Sequence, residues 1–200
     1  LVVSQTCSPM IDEVEEEALR IFEETRALLS GHFILRSGLR SGRYFQCAQV
    51  CQYLDKVERL VELLRAKLTE LSPEVVVAPA MGALVIGQEM ARQLGLRYVF
   101  LEKENDKLAL RRGFRLSPKE RVLIVEDVVT RGGRADETVN IITQEGAELI
   151  ALAVLVDRSN GKYKPKIPFY SLLTMKVETY DPGELPEDLK SITPVKPGSK

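Results

Sequence analysis

A chain of 200 residues, 44% hydrophobic and 28% charged, has the makeup of a globular domain large enough to bury one substantial core. Its 28 Lys plus Arg against 29 Asp plus Glu leave a net charge of −1, so no bulk field draws in nucleic acid or an anionic membrane, and any anion site must be built locally. No run of about 18 apolar residues is present to cross a bilayer and no basic amino end leads into an apolar stretch, so a cytoplasmic protein is expected, with no nucleic acid and no membrane among its partners.

Taken in chain order, residues 12–30 place Val14, Ala18, Ile21, Phe22, Leu28 and Leu29 near helical spacing, with the acids of "DEVEEE" forming a solvated face in the first turns. A second amphipathic helix is predicted over 54–71, where Val57, Leu60, Val61, Leu64, Leu68 and Leu71 make one stripe that core packing explains without function. The three cysteines, Cys7, Cys47 and Cys51, have no second pair to close a metal tetrahedron, and the single histidine, His32, lies away from them. Buried thiols are the expectation.

Strands and helices then alternate: strand 74–80, helix 82–95, strand 98–103, strand 121–127, helix from about 133 to 145 and strand 148–157. Such an order implies an α/β domain with a mainly parallel, twisted sheet flanked by helices. After Lys162 the pattern turns to prolines and a β-like run, "FYSLLTMKVETY", which reads as an edge strand or small subdomain. The ending, "TPVKPGSK", reads as a poorly ordered tail. Residues 104–120, "ENDKLALRRGFRLSPKE", have some period-two character consistent with a solvated hairpin. A mobile functional loop is the preferred expectation, because so long a connection leaves the carboxyl end of a sheet strand.

The densest chemistry lies in "VLIVEDVVTRGGRADETV", residues 122–139. Residues 122–125 are wholly apolar, so Glu126 and Asp127 are expected to emerge where the strand leaves the sheet, as paired acceptors for a vicinal diol. Residues 130–134 form a turn whose glycines let backbone N–H groups converge at a helix amino end, which is a phosphate cradle. Neither G-x-x-x-x-G-K-[ST] nor G-x-G-x-x-G occurs, which disfavours an ordinary nucleoside triphosphatase or Rossmann enzyme. Diol acceptors beside a phosphate cradle fit a ribose 5-phosphate. The plainer alternative is a helix capped by Thr130, with Asp136 and Glu137 favouring its dipole.

"VLIVEDVVTRGGR" resembles the signature of the type I phosphoribosyltransferases, which bind 5-phosphoribosyl 1-pyrophosphate (PRPP) through the acid pair and the loop. The resemblance implies a type I phosphoribosyltransferase fold in one domain: a parallel core over about 54–162, a small hood from about 30–50 plus 163–185, and a lid over about 102–120. It further implies Mg2+ held by PRPP and water rather than by a protein ligand set. "HFILRSGLRSGRYFQCA", "APAMGALVIG", "VDRSNG" and "VKPGSK" are similar to segments of the orotate phosphoribosyltransferases.

On that resemblance, PRPP is held by Glu126, Asp127, Val128, Val129, Thr130, Arg131, Gly132, Gly133, Arg134 and Lys103, and its pyrophosphate by the loop of Ala80, Met81 and Gly82. Orotate falls to Arg158, Thr130, Arg36, Tyr44 and Phe45, and catalysis to Lys103, Lys107 and Asp127. The product would be orotidine 5′-monophosphate, on the pyrimidine pathway, made by a homodimer with shared active sites. In chemical terms a fixed arginine suits orotate's carboxylate or carbonyl oxygens. On the residues alone, Asp157 and Arg158 read as an exposed turn pair before Asn160 and Gly161.

Several positions depart from the family pattern. Of the family's lid cations only Lys103 matches cleanly, with Lys107, Arg111 or Arg112 as substitutes, and no lid histidine exists. Met81 and Gly82 stand where the best-known members have a Tyr-Lys pair. Arg131 and Arg134 replace small residues, either adding charge to the phosphate or pairing with Asp136 and Glu137. A purine or xanthine phosphoribosyltransferase, or a PRPP-binding regulatory protein without turnover, are the alternatives.

Overall fold

The computed structural model describes residues 13–35 and 37–197. Helix α1 (Glu13–Glu24) carries acids in its first turn and buries Ala18, Ile21 and Phe22. It stops well short of the expected Ser30. Thr25 donates its hydroxyl back to the Ile21 carbonyl at 2.7 Å, and Arg26 turns left-handed at φ 59°. Leu28 and Leu29 instead open strand β1 (Leu28–Ile34), which pairs antiparallel with β2 (Arg40–Phe45). A short apolar pair fits either period, and the cross-strand partner decides between them.

Helix α2 (Leu54–Arg65) buries Val57, Leu60, Val61, Leu63 and Leu64, then tightens into a 3-10 turn over Ala66–Leu68. Six strands follow in one sheet: β3 (Val75–Pro79), β4 (Arg97–Glu104), β5 (Lys107–Leu110), β6 (Arg121–Val129), β7 (Glu148–Asp157) and β8 (Phe169–Thr174), in the spatial order β5-β4-β3-β6-β7-β8. All neighbours are parallel except β4 and β5. Helix α3 (Leu84–Leu94) links β3 to β4, and α4 (Gly133–Gln144) links β6 to β7.

Successive residues of each central strand point to opposite layers, which is why these strands are apolar throughout. Val76, Leu123, Val125, Ala153 and Leu155 pack with Phe22, Leu60, Ile86 and Met90 from α1, α2 and α3. Val75, Val77, Ile124, Leu152 and Val154 pack with Ala135 and Ile142 of α4.

Two segments differ from the sequence reading. The preferred loop over 104–120 begins as a hairpin, with Glu104 opposite Lys107 and a tight turn at Asn105 and Asp106, both left-handed. Residues 193–197 are not a loose tail: Val195 accepts from Ile34 N and donates to His32 O, each at 2.8 Å, and so adds to the edge of β1. Cys47 is buried and Cys51 half-buried, while Cys7 lies outside the described residues. No helix among the described residues is long and apolar enough to cross a membrane.

Candidate active site

Chain direction sets where a crevice opens. From β3 the chain steps through α3 to β4 on one side, and from β6 it steps through α4 to β7 on the other, so the order reverses between β3 and β6. Ligand crevices of open α/β sheets lie outside the carboxyl ends of strands at such a point. Pairing of β3 with β6 ends at Val77 and Ile124, while β6 stays paired to β7 as far as Val129. Glu126 and Asp127 therefore sit within the strand rather than beyond it, on the stretch that β3 no longer covers.

The opposite wall is the loop after β3. Ala80 anchors it by donating its N–H to the Leu101 carbonyl at 2.7 Å, and the Ala80–Met81 peptide is cis. A Cβ built on Gly82 would overlap the Asp127 carboxylate. Glycine at 82 thus permits loop and acid pair to touch. Asp127 accepts from Val128 N at 2.8 Å, and Glu126 accepts from Asp127 N at 3.2 Å through one oxygen.

The other oxygen of Glu126 is buried without a partner. Burial first, and then the neighbouring Asp127, push the Glu126 carboxyl up to about 9. Two adjoining carboxyls in a dry site resist being charged together, so the pair holds a proton at neutral pH. It can then both donate to and accept from the hydroxyls of a diol. Burial, with Asp127 second, also raises the Cys47 thiol well above its ordinary range and the Cys51 thiol to about 11. Neither is an activated nucleophile.

After Val129 the loop of Thr130, Arg131 and Gly132 turns into α4. Gly132 is the cap residue, left-handed at φ 81°, and no side chain caps the helix. The reading of Thr130 as the cap does not hold, and the first-turn amides stay free for an anion. Thr130, Arg131, Gly133 and Arg134 are exposed. Arg134 pairs with neither Asp136 nor Glu137: it donates to the Ala80 carbonyl at 2.7 Å, joining the two walls. Glu137 accepts from Leu108 N at 2.6 Å, which docks the β4–β5 hairpin on α4. Asp136 accepts from the Tyr163 hydroxyl at 2.9 Å.

Tyr163 escaped the sequence reading. Its ring lies on Gly132 so closely that a Cβ there would overlap it, and it stacks edge-on against Phe169 at 5.8 Å. Only the single tyrosine in "GKYKPKIP" could have hinted at this contact, and nothing in the local pattern separates it from an exposed loop residue.

Of the expected lid cations, Lys103 and Lys107 are exposed and carry no ion pair among the described residues. Lys103 lies opposite Leu108 and Lys107 opposite Glu104, so the two lysines point to different faces of the hairpin. Arg111 pairs with Glu104 at 3.4 Å, and Arg112 pairs with Glu102.

At the end of β7, Arg158 donates its backbone N–H to the Val129 carbonyl at 2.8 Å, which ties it to the strand of the acid pair. The exposed Asp-Arg turn pair that the residues alone suggest is not found. Asp157 is buried and accepts from Ser159 N at 2.8 Å, and the Nε of half-buried Arg158 has no partner. Burial pulls the Arg158 guanidinium below its ordinary range, against the nearby Tyr44 phenol, which works the other way. Tyr44 packs on Phe33 at 5.6 Å, whereas the Phe45 ring turns into the core against Phe22 at 5.0 Å. Phe45 therefore has only its backbone to offer a ligand. Arg36 lies outside the described residues.

Comparison with known proteins places the chain in a family. The phosphoribosyl transferase domain matches residues 49–187. An orotate phosphoribosyltransferase of Desulforamulus reducens is 46% identical over 185 residues, covering 92% of this chain and 97% of the relative. Another, from Erythrobacter litoralis, is 47% identical over 189 residues, covering 93% and 98%. The chain belongs to the orotate phosphoribosyltransferase family. At the level of fold alone, the solved orotate phosphoribosyltransferase of Mycobacterium tuberculosis H37Rv in complex with Fe(III) dicitrate superposes with a TM-score of 0.68 at 21% identity, over 82% of this chain and 97% of that one. The mainly parallel sheet and flanking helices expected from the alternation of elements are the fold of this orotate phosphoribosyltransferase relative.

Proposed function

We propose that the chain transfers ribose 5-phosphate from PRPP to N1 of orotate, giving orotidine 5′-monophosphate and pyrophosphate in pyrimidine nucleotide synthesis. The observation that carries the reading is an acid pair and an uncapped helix start at the β3–β6 switch point, with a half-buried arginine whose Nε has no partner at the end of the neighbouring β7. Relatives at 46 and 47% identity bear the name of that activity.

The N1–C1 bond forms as the C1–oxygen bond to pyrophosphate breaks, through an oxocarbenium-like ribose, and the N1 proton is released to solvent or to the departing pyrophosphate. The chain's task is then positioning, charge stabilisation and exclusion of water. Glu126 and Asp127 orient the ribose hydroxyls, and the amides of the 130–133 turn hold the 5-phosphate. Arg158 grips orotate beside Tyr44, with Arg36, Thr130 and the Phe45 backbone framing the ring. Lys103, with Lys107 as second choice, neutralises the departing pyrophosphate when the hairpin closes over the crevice.

Mg2+ belongs to the same proposal. No group of three or more His, Cys, Asp or Glu side chains among the described residues is placed to hold a metal ion. A hard cation of this kind is commonly held mainly by phosphate oxygens and water, with one or two carboxylates at most, and PRPP would supply those oxygens. Bound there, the ion would offset the charge on the leaving group. A homodimer with shared sites is what the family resemblance implies. The net charge of −1 supports a setting without nucleic-acid partners, and a cytoplasmic location belongs to the same proposal.

Arg158→Ala tests the reading. It should weaken orotate by about 10- to 100-fold while PRPP binding is kept. Unchanged orotate turnover would place the base elsewhere.

A further inference from the structure

A substrate with phosphates at both ends of a ribose needs two anion poles, one on each side of its hydroxyls. The uncapped start of α4 makes one pole, and the acid pair that would hold the hydroxyls stands beside it. The second pole falls on the loop after β3, because Gly82 of that loop abuts Asp127 from the other side. Yet Ala80, Met81 and Gly82 contain no cation. A side chain at 82 would have to displace the Asp127 carboxylate, and this chain carries none there.

One cation does arrive, from the opposite wall. Arg134 leaves the first turn of α4 and docks one terminal nitrogen on the Ala80 carbonyl at 2.7 Å. No carboxylate among the described residues forms an ion pair with it, although its charge also acts on Glu126 of the acid pair, and the residue is exposed. Its remaining N–H groups are thus open to a ligand, and a guanidinium presents them in a planar fork matched to phosphate oxygens. We propose that Arg134 supplies a pyrophosphate-binding cation of this site in addition to the hairpin lysine, reaching across the crevice to the loop that lacks one. The inference rests on the reading of the crevice as a PRPP site, and it assigns Arg134 to the pyrophosphate end rather than to the 5-phosphate.

The test is equilibrium binding, without orotate, of PRPP, inorganic pyrophosphate and ribose 5-phosphate, each with Mg2+, to the full chain and to Arg134→Gln and Arg134→Lys. Glutamine keeps an N–H for the Ala80 carbonyl but removes the charge. The expected result is that Arg134→Gln weakens PRPP and pyrophosphate by about 10- to 100-fold and ribose 5-phosphate by less than about threefold, with Arg134→Lys recovering part of the loss. Pyrophosphate binding at the wild-type level in Arg134→Gln would show that the arginine only props the loop, and overturn the proposal. So would an equal loss for ribose 5-phosphate, which would put the charge on the 5-phosphate. A wild-type chain that binds none of the three ligands would instead sink the underlying PRPP reading.

Discussion

Tyr163 holds the loop before α4 from outside: its hydroxyl donates to Asp136 at 2.9 Å while its ring lies on Gly132, the left-handed cap residue of α4. Burial, with Asp136 second, raises the phenol above its ordinary range, so it stays a donor. A loop held in its binding shape binds its anion without a further ordering cost. Tyr163→Phe, which keeps the ring, should raise KM for PRPP by about 3- to 10-fold with kcat within about twofold. Tyr163→Ala should raise it further. Steady-state kinetics at varied PRPP would show this, and a fall in kcat at constant KM would mean that the contact does not act through the loop.

Gly82 and Asp127 give a prediction in which fold and function separate. An alanine at 82 overlaps only the far end of a side chain, so the fold should lose less than about 1 kcal/mol in a denaturant melt. The displaced Asp127 carboxylate should raise KM for PRPP by about tenfold or more. A variant with unchanged KM would show that the Asp127 position is not needed for the ribose.

The first two predictions turn on residues of very different legibility. The apolar runs at 122–125 and 149–156 read as strands, which is why the sheet could be placed in advance. The acid pair, expected past the end of its strand, lies within it, and only the family resemblance singles out Arg158. Leu28 and Leu29 could not be placed, because their strand exists only through pairing with Phe45 and Tyr44. The period-two signal of "KLALRRGFRL" was visible, but length argued for a loop, and the bond from Leu108 N to Glu137 that fixes the hairpin joins residues far apart in sequence. The contacts of Arg134 with Ala80 and Tyr163 with Gly132 are likewise tertiary and leave no local pattern.

Glu126 sets a pH dependence. Its carboxyl ionises near the ordinary 4.5 in the unfolded chain and at about 9 in the folded one, chiefly through burial. Between those values the folded state holds the extra proton, so stability is fully present below the lower value and falls as pH rises through the window. Glu126→Gln removes this dependence while keeping the shape. Melts from about pH 5 to about pH 9 should show the variant gaining on the wild type as pH rises. Parallel curves would mean that Glu126 is charged in the folded protein.

The most direct measurement mixes the purified chain with PRPP, Mg2+ and orotate and follows the loss of orotate's ultraviolet absorbance, with hypoxanthine, xanthine and uracil tested in parallel for pyrophosphate release. The account predicts absorbance loss with orotate and no pyrophosphate release with the other bases. Turnover only with another base, or PRPP binding with no turnover at all, would contradict it.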